Sequence, residues 1–390
     1  MFEIIIPAAT LGAVLLFGRK EKSGDRETIQ KVFENLKVGA YEGDDFRFPV
    51  YVDEDKKEHA ITYIYKTVIG LPSKMLEPLE HILSASLDKE VAVSYNDALL
   101  IKVYHKSLAS KVNYRNVPSV EGWKIPLGLD RDGWVFHNFD HTPHMTVAGM
   151  TRFGKTVMIK SAMTYLIEHH PEHVQFLILD MKGGLEFSRY NSLKQVGAVA
   201  SNIKEAYTLL KGVENLMISE MERFKDLKIS NIVDTDIKER LFLIVDEGAQ
   251  LAPDKFMSKN EKDMMLESQY ILSEIARIGG ALGIRLIFCT QYPTADTLPR
   301  QIKQNSDLKV SFRLPADYAS KVAIDEHGAE RLPSDVKGRA LIKTHELREV
   351  QTPLIKDEEM EKRLGVYRIE KPIESKYTSD TGRDDYAVLE

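Results

Sequence analysis

The octet Gly149-Met150-Thr151-Arg152-Phe153-Gly154-Lys155-Thr156 restricts this chain more than any other feature. It has the G-x4-G-K-T spacing of a phosphate-binding loop. Met145-Thr146-Val147-Ala148 runs into it as a buried-strand signal, and Val157–Met163 leaves it with a helical pattern. Strand, loop and helix in that order are the context such a loop needs. The two glycines let backbone N–H groups close around a phosphate without Cβ clashes, and the helix N-terminus adds partial positive charge. Residues 149–156 are therefore predicted to bind ATP, with Lys155 on the β- and γ-phosphates and Thr156 on Mg²⁺.

A phosphate loop of this kind needs an acidic residue at the end of a neighbouring buried strand. Leu241–Val245 followed by Asp246-Glu247 supplies it. Asp246 is predicted to hold Mg²⁺ through water, and Glu247 to polarise the attacking water as general base. Ile284–Thr290 is another apolar run and ends at Gln291. That position falls at the C-terminal sheet edge, where open α/β sheets place ligands, so Gln291 is a candidate γ-phosphate sensor. By the same geometry Val174–Leu179 brings Asp180 and Lys182 to the border of the site or of a neighbouring subunit, unless they are a solvated strand-end pair.

These runs alternate with helical patterns after Lys155, from Asn202 to Lys225 and near Glu261–Ile278, before a last strand at Val310–Leu314. Continuous apolar strands are expected where both sheet faces are covered, so the order predicts a doubly wound α/β core. Upstream, residues 19–30 read as a linker and residues 31–120 as a small α/β adaptor domain. That domain has a helix to Leu36, strands at Phe46–Val52 and Ala60–Val68, and a helix from Ser73 to Leu87. Asn96-Asp97 then turns a hairpin between Val91–Tyr95 and Ala98–Tyr104. Residues 121–356 form the nucleotide-binding domain, and 357–390 read as a flexible tail.

A formal charge of −6 argues against a chain that coats nucleic acid indiscriminately, so any DNA contact must come from local basic clusters. The single cysteine, Cys289, lies in an apolar run and fits a small buried hydrophobe in a reducing cytosol. Residues 2–18 are almost wholly apolar and are followed by Arg19-Lys20-Glu21-Lys22. A spanning helix needs ~20 apolar residues, so the run is at the short limit, and the flanking charges would keep the rest of the chain cytoplasmic. A membrane anchor at the inner face of the cell membrane is the favoured reading. A buried or partner-binding helix and an unstructured start remain open.

Taken together, these residues resemble the motor domain of the FtsK/SpoIIIE family of DNA translocases. The resemblance begins at Pro126-Leu127-Gly128-Leu129-Asp130 and Pro143-His144-Met145. It runs through the phosphate loop, Asp180-x-Lys182, Glu220–Phe224, Asp246-Glu247 and Ala276-Arg277, and ends with Thr290–Pro293 and Gly328-Ala329-Glu330-x-Leu332. It implies a RecA-like P-loop NTPase core, assembled as a homo-oligomer, a hexameric ring, with ATP between subunits and double-stranded DNA in the pore. It also implies a trans arginine in the helix before the sensor strand. Aligned on Gly283-Ile284 that position is Gly280, leaving Arg277 as substitute, with Arg300 and Arg313 as rivals.

Candidate DNA-contacting residues are Lys182 and Arg189 in one loop and Arg300 and Lys303 in another. Arg152-Phe153 stand where the family shows small residues. The lack of a C-terminal winged helix and of a multi-span membrane region points toward members encoded by mobile elements. There the partners would be a relaxase and transfer-channel proteins, and the function conjugative DNA coupling. Plasmid, phage or chromosome segregation is the alternative. A protein-secretion ATPase or a non-hydrolysing ATP-gated scaffold is the alternative of another class.

Overall fold

A computed structural model describes residues 24–68 and 76–369. The chain forms two compact units, divided between Ser107 and Leu108. The expected anchor at 2–18 lies outside the described residues. No helix among the described residues is long and apolar enough to cross a membrane.

The first unit contains α1 (Asp25–Leu36), a small hairpin of β1 (Ala40–Glu42) and β2 (Asp45–Arg47), β3 (Val50–Lys56), β4 (Ala60–Lys66), α2 (Leu76–Leu87), β5 (Val91–Asn96) and β6 (Ala98–Tyr104). The last four strands form an antiparallel sheet in the order β3-β4-β6-β5. Ile29 and Phe33 from α1, and Leu79 and Leu83 from α2, pack against Tyr65, Leu99 and Ile101 of the sheet. The Asn96-Asp97 hairpin forms as the sequence predicts, and Asp97 takes the left-handed conformation (φ 58°) such turns favour. Two boundaries differ from expectation. The predicted linker 19–30 overlaps α1, which starts at Asp25, and the predicted strand at Phe46–Val52 is broken into β2 and β3. Ser73, the expected cap of α2, lies outside the described residues.

The second unit begins earlier than residue 121, because the segment from Leu108 packs onto it. β7 (Val112–Asn113) pairs with β18 (Pro353–Leu354), and Tyr114 donates its hydroxyl to Glu168 at 2.7 Å. Then come β8 (Lys124–Leu129), β9 (Trp134–Asn138), β10 (Met145–Ala148), α3 (Lys155–His169), β11 (Val174–Leu179), β12 (Val196–Ala200), α4 (Ile203–Asp226), β13 (Arg240–Val245) and α5 (Lys259–Ile278). The rest is β14 (Ile284–Thr290), α6 (Arg300–Gln304), β15 (Leu308–Phe312), α7 (Asp317–Ile324), β16 (Arg339–Lys343), β17 (Leu347–Gln351), β18 and α8 (Asp357–Leu364).

Ten strands form one sheet, in the order β12-β11-β13-β14-β10-β15-β16-β17-β8-β9. The run from β12 to β15 is parallel and carries the apolar segments read from the sequence; the other four strands extend it antiparallel. The parallel strands are buried on both faces. Phe242 and Ile244 of β13 join the core beneath α3, while Leu241, Leu243 and Val245 join the core beneath α4 and α5. That alternation is the two-residue period of a strand covered on both sides. Fully burying such side chains contributes roughly 1.5–3 kcal/mol each.

Local chemistry sets the helix starts. Asn202 caps α4 by accepting from the N–H groups of Lys204 and Glu205, and Ser258 with Glu261 forms a capping box on α5. The predicted tail from residue 357 is a correction. Asp357–Leu364 is helix α8, with three acidic residues in its first turn and Met360 and Leu364 buried against the core that holds α3. Two turns are too short for periodicity to reveal.

Candidate nucleotide site

Parallel register sets the site. Ala148 of β10 lies opposite Thr290 of β14 on one side and Ser311 of β15 on the other, and Val245 of β13 lies opposite Phe288. The loops after β10, β13 and β14 therefore leave the sheet at one edge, with β14 between the strands of the phosphate loop and the acid pair. Strand order alone brings Lys155, Asp246, Glu247 and Gln291 together.

The phosphate loop is held from beneath and from one side. Met150 N–H donates to Arg313 O at 3.1 Å, and Gly338 N–H donates to Phe153 O at 2.9 Å. Gly154 has φ 122°, and a Cβ there would stand 3.0 Å from both Gly338 Cα and the Phe312 ring, so only glycine fits without displacing backbone. Arg152 takes φ 70° at the exposed tip. Phe153 packs partly into the core, with the Lys337 ammonium 3.9 Å from its ring centre. The bulky Arg152-Phe153 pair is thus accommodated at the rim and against the β16 approach.

The acid pair is buried. Lys155, 5% exposed, donates to the Asp246 carbonyl at 2.9 Å and to Glu247 Oε2 at 3.3 Å. Glu247 Oε1 accepts from Gln291 N–H at 2.9 Å, and Thr151 Oγ1 donates to Gln291 Oε1 at 3.0 Å. Gln291 therefore couples the loop tip to the carboxylate through backbone and side chain. Asp246 Oδ1 and Thr290 Oγ1 are buried without a protein partner. An unpartnered carboxylate oxygen beside a phosphate loop fits a hydrated divalent cation, which takes oxygen ligands and keeps water. Asp246 and Thr156 are the residues that would hold Mg²⁺. A cleft of about 1180 Å³ is lined by Thr156, Lys182 and Gln291 and by Val112, Val157 and Leu354.

Lys182, expected at the border of the site and also as a candidate DNA contact, turns into the site. Its Nζ lies 3.2 Å from Asp246 Oδ2 and 3.6 Å from Glu247 Oε2. Burial alone would depress its pKa, but the charges of Asp246 and Glu247 outweigh that and hold it above the usual lysine value. Arg189 pairs with Asp357 at 3.1 Å, and Lys303 with Asp325 at 2.6 Å, so both are engaged within the chain; Arg300 is exposed at the start of α6.

Arg277 lies in the last turn of α5, before β14 begins, and pairs with Glu274 on the exposed helix surface. It is therefore at the opposite sheet edge from its own phosphate loop. Gly280 has a steric reason to lack a side chain, since a Cβ there would stand 2.6 Å from Pro143 Cγ. Arg313 donates to Leu332 O beneath the loop.

Sequence reasoning missed Lys160. One turn beyond Thr156 and buried, it ion-pairs with Glu186 at 3.0 Å and Asp357 at 2.9 Å, tying the loop after β11 and helix α8 to α3. A lysine within an apolar helix face was the available signal. Behind the sheet, Asp140 accepts from Arg285 at 2.7 Å and Arg240 at 3.0 Å. His144 accepts from Leu286 N–H at 3.0 Å; burial, then Arg285, pushes its pKa down to about 3. Cys289 is fully buried, and burial raises its thiol pKa.

Residues 118–240 match the FtsK/SpoIIIE family. The DNA translocase FtsK of Streptococcus agalactiae serotype V is 28% identical across 62% of this chain and 31% of its own length. That of Streptococcus pneumoniae is 26% identical across 88% of this chain and 47% of its own length. The chain thus spans about a third to a half of these curated relatives. Among solved structures, the pCW3 conjugation coupling protein TcpA, in its monomer form with ATPγS, superposes with a TM-score of 0.63 at 20% identity, covering 88% of this chain and 99% of that one. The cytoplasmic domain of the Thermomonospora curvata Type VII secretion ATPase EccC gives 0.56 at 19% identity, covering 71% and 34%. At these identities the structural matches speak for the fold, which is that of P-loop ATPases. With its phosphate loop, acid pair and sheet order, the chain has the fold of P-loop ATPases and is similar over residues 118–240 to the FtsK/SpoIIIE family.

Proposed function

We propose that this chain is an ATP-hydrolysing, ring-forming DNA motor, and that it couples DNA to a transfer channel of a mobile element. The observation that carries the motor reading is the meeting of Lys155, Asp246, Glu247 and Gln291 at one sheet edge. In this reading Lys155 and the N–H groups of residues 149–156 bind the phosphates of ATP, while Thr156 and Asp246 hold Mg²⁺. Glu247 deprotonates the attacking water, and Gln291 reads the terminal phosphate. Asp246, Glu247 and Gln291 follow strand ends, and Lys155 and Thr156 open α3, so little reorganisation is needed when charge develops.

DNA as substrate is supported by sequence relatives that are DNA translocases. Coupling is supported by the structural match to a conjugation coupling protein, which extends over nearly all of that chain and over more of this chain than its second unit. A relaxase and channel proteins are then its partners, and residues 2–18 its anchor at the cytoplasmic face of the membrane. Arg277, exposed and remote from its own phosphate loop, suits a role in the next subunit's site, as does Arg300. A protein-secretion motor shares the fold, on the evidence of the EccC match alone. ATP hydrolysis measured with no DNA, single-stranded DNA and duplex DNA separates the two. Duplex stimulation supports the DNA motor, and indifference to DNA supports the secretion reading.

A further inference from the structure

Two lysines reach the acid pair from opposite sides. Lys155 comes from α3, and Lys182 from the loop after β11, with its ammonium on Asp246 Oδ2 and Glu247 Oε2. That loop is tightly tied. Asp180 is fully buried, and its Oδ2 accepts from the N–H groups of Glu186 and Phe187, both at 2.9 Å. Gly183 and Gly184 make the turn with φ 74° and 73°. Lys182 therefore stands at one end of a closed loop, while the other end is held by Glu186 on Lys160 and Arg189 on Asp357.

Lys182 holds Oδ2 of Asp246, the carboxylate whose unpartnered Oδ1 would face Mg²⁺. A divalent cation and an ammonium a few ångströms apart repel strongly in a half-buried site, so Asp246 cannot hold both well. The lysine then needs another anion, and Lys155, Lys182 and Gln291 line one cleft, so a terminal phosphate bound there would be the nearest candidate. We propose that Lys182 reads the nucleotide state: the acid pair holds it until Mg²⁺ takes Asp246, when it transfers to the terminal phosphate and moves residues 183–189 with it. Loss of that phosphate returns it to the acid pair. This inference rests on the assignment of Mg·ATP to this cleft. It gives the loop a physical link to hydrolysis, whatever the loop touches outside.

Calorimetric titration of the full-length chain with ATPγS and with ADP, each across a Mg²⁺ series, tests it. One charge-assisted contact made only to the terminal phosphate is worth about a tenfold preference for ATPγS over ADP, which Lys182→Ala should remove while changing ADP affinity less than about threefold. The same variant should need less Mg²⁺ for half-maximal ADP binding, because the competing ammonium is gone. Lys182→Arg should keep part of the preference. Hydrogen exchange in residues 183–189 should differ between the two nucleotides in the unmodified chain and not in Lys182→Ala. Equal preference and equal Mg²⁺ dependence in Lys182→Ala would overturn the proposal, as would parallel weakening of both nucleotides. Failure of the unmodified chain to bind either nucleotide would instead remove the site assignment itself, and the proposal with it.

Discussion

Glu247 is held by three groups: Lys155, Lys182 and the N–H of Gln291. Replacing its carboxylate by an amide keeps the shape and removes the base. Glu247→Gln is therefore expected to bind ATP while hydrolysing it about 10²–10⁴-fold more slowly, checked by single-turnover phosphate release. Lys155→Ala should lose both binding and turnover. Gly280→Arg should destabilise the fold by about 1–3 kcal/mol, because Pro143 occupies the space its side chain would enter. Equilibrium urea unfolding measures that loss.

The buried histidines give a pH dependence with a definite sign. Burial holds His137 at about 4 and His144 at about 3, against 6.5 for the free side chain. Both are neutral in the fold at neutral pH and take up a proton on unfolding once the pH drops below the free value. Their contribution is fully present above pH 6.5 and is lost as the pH falls toward 4 for His137 and toward 3 for His144. At pH 5 each costs about 2 kcal/mol relative to pH 7, so urea midpoints should fall between those two values, and fall less in His144→Gln.

Among elements, the parallel strands were the most legible, and for a physical reason. β10, β13 and β14 are buried along their whole length, so composition alone marks them, and the phosphate loop, the acid pair and Gln291 that end these runs mark the site edge. β12, β16 and β17 were not legible. β12 is a five-residue edge strand with three half-buried residues, β16 has only three apolar residues between Arg339 and Lys343, and β17 is exposed over its first two residues. Helix α8 was hidden by its length. Lys182 was legible as a site residue by position but not by partner, because sequence gives a strand end and not the direction a long side chain takes. The salt-bridge tie through Lys160 predicts that Lys160→Met speeds hydrogen exchange in residues 183–190 and at α8 before it changes the rest of the second unit. Uniform exchange throughout would show that the tie is local decoration.

On the scale of the whole molecule, the two units have separate cores, one built on β3–β6 and one on the ten-stranded sheet. A fragment beginning at Leu108 is therefore expected to fold and bind nucleotide with the affinity of the full chain; calorimetry would detect a dependence on the first unit. With a formal charge of −6, the proposed attraction to DNA would come from local basic side chains rather than from the chain as a whole. The most direct test is steady-state ATP hydrolysis by the full chain and by Glu247→Gln, with and without duplex DNA, over a salt series. Duplex stimulation that fades as salt rises, and is absent in Glu247→Gln, is the expected result. Hydrolysis that ignores DNA at every salt concentration, or that survives Glu247→Gln undiminished, would contradict a DNA motor working through this site.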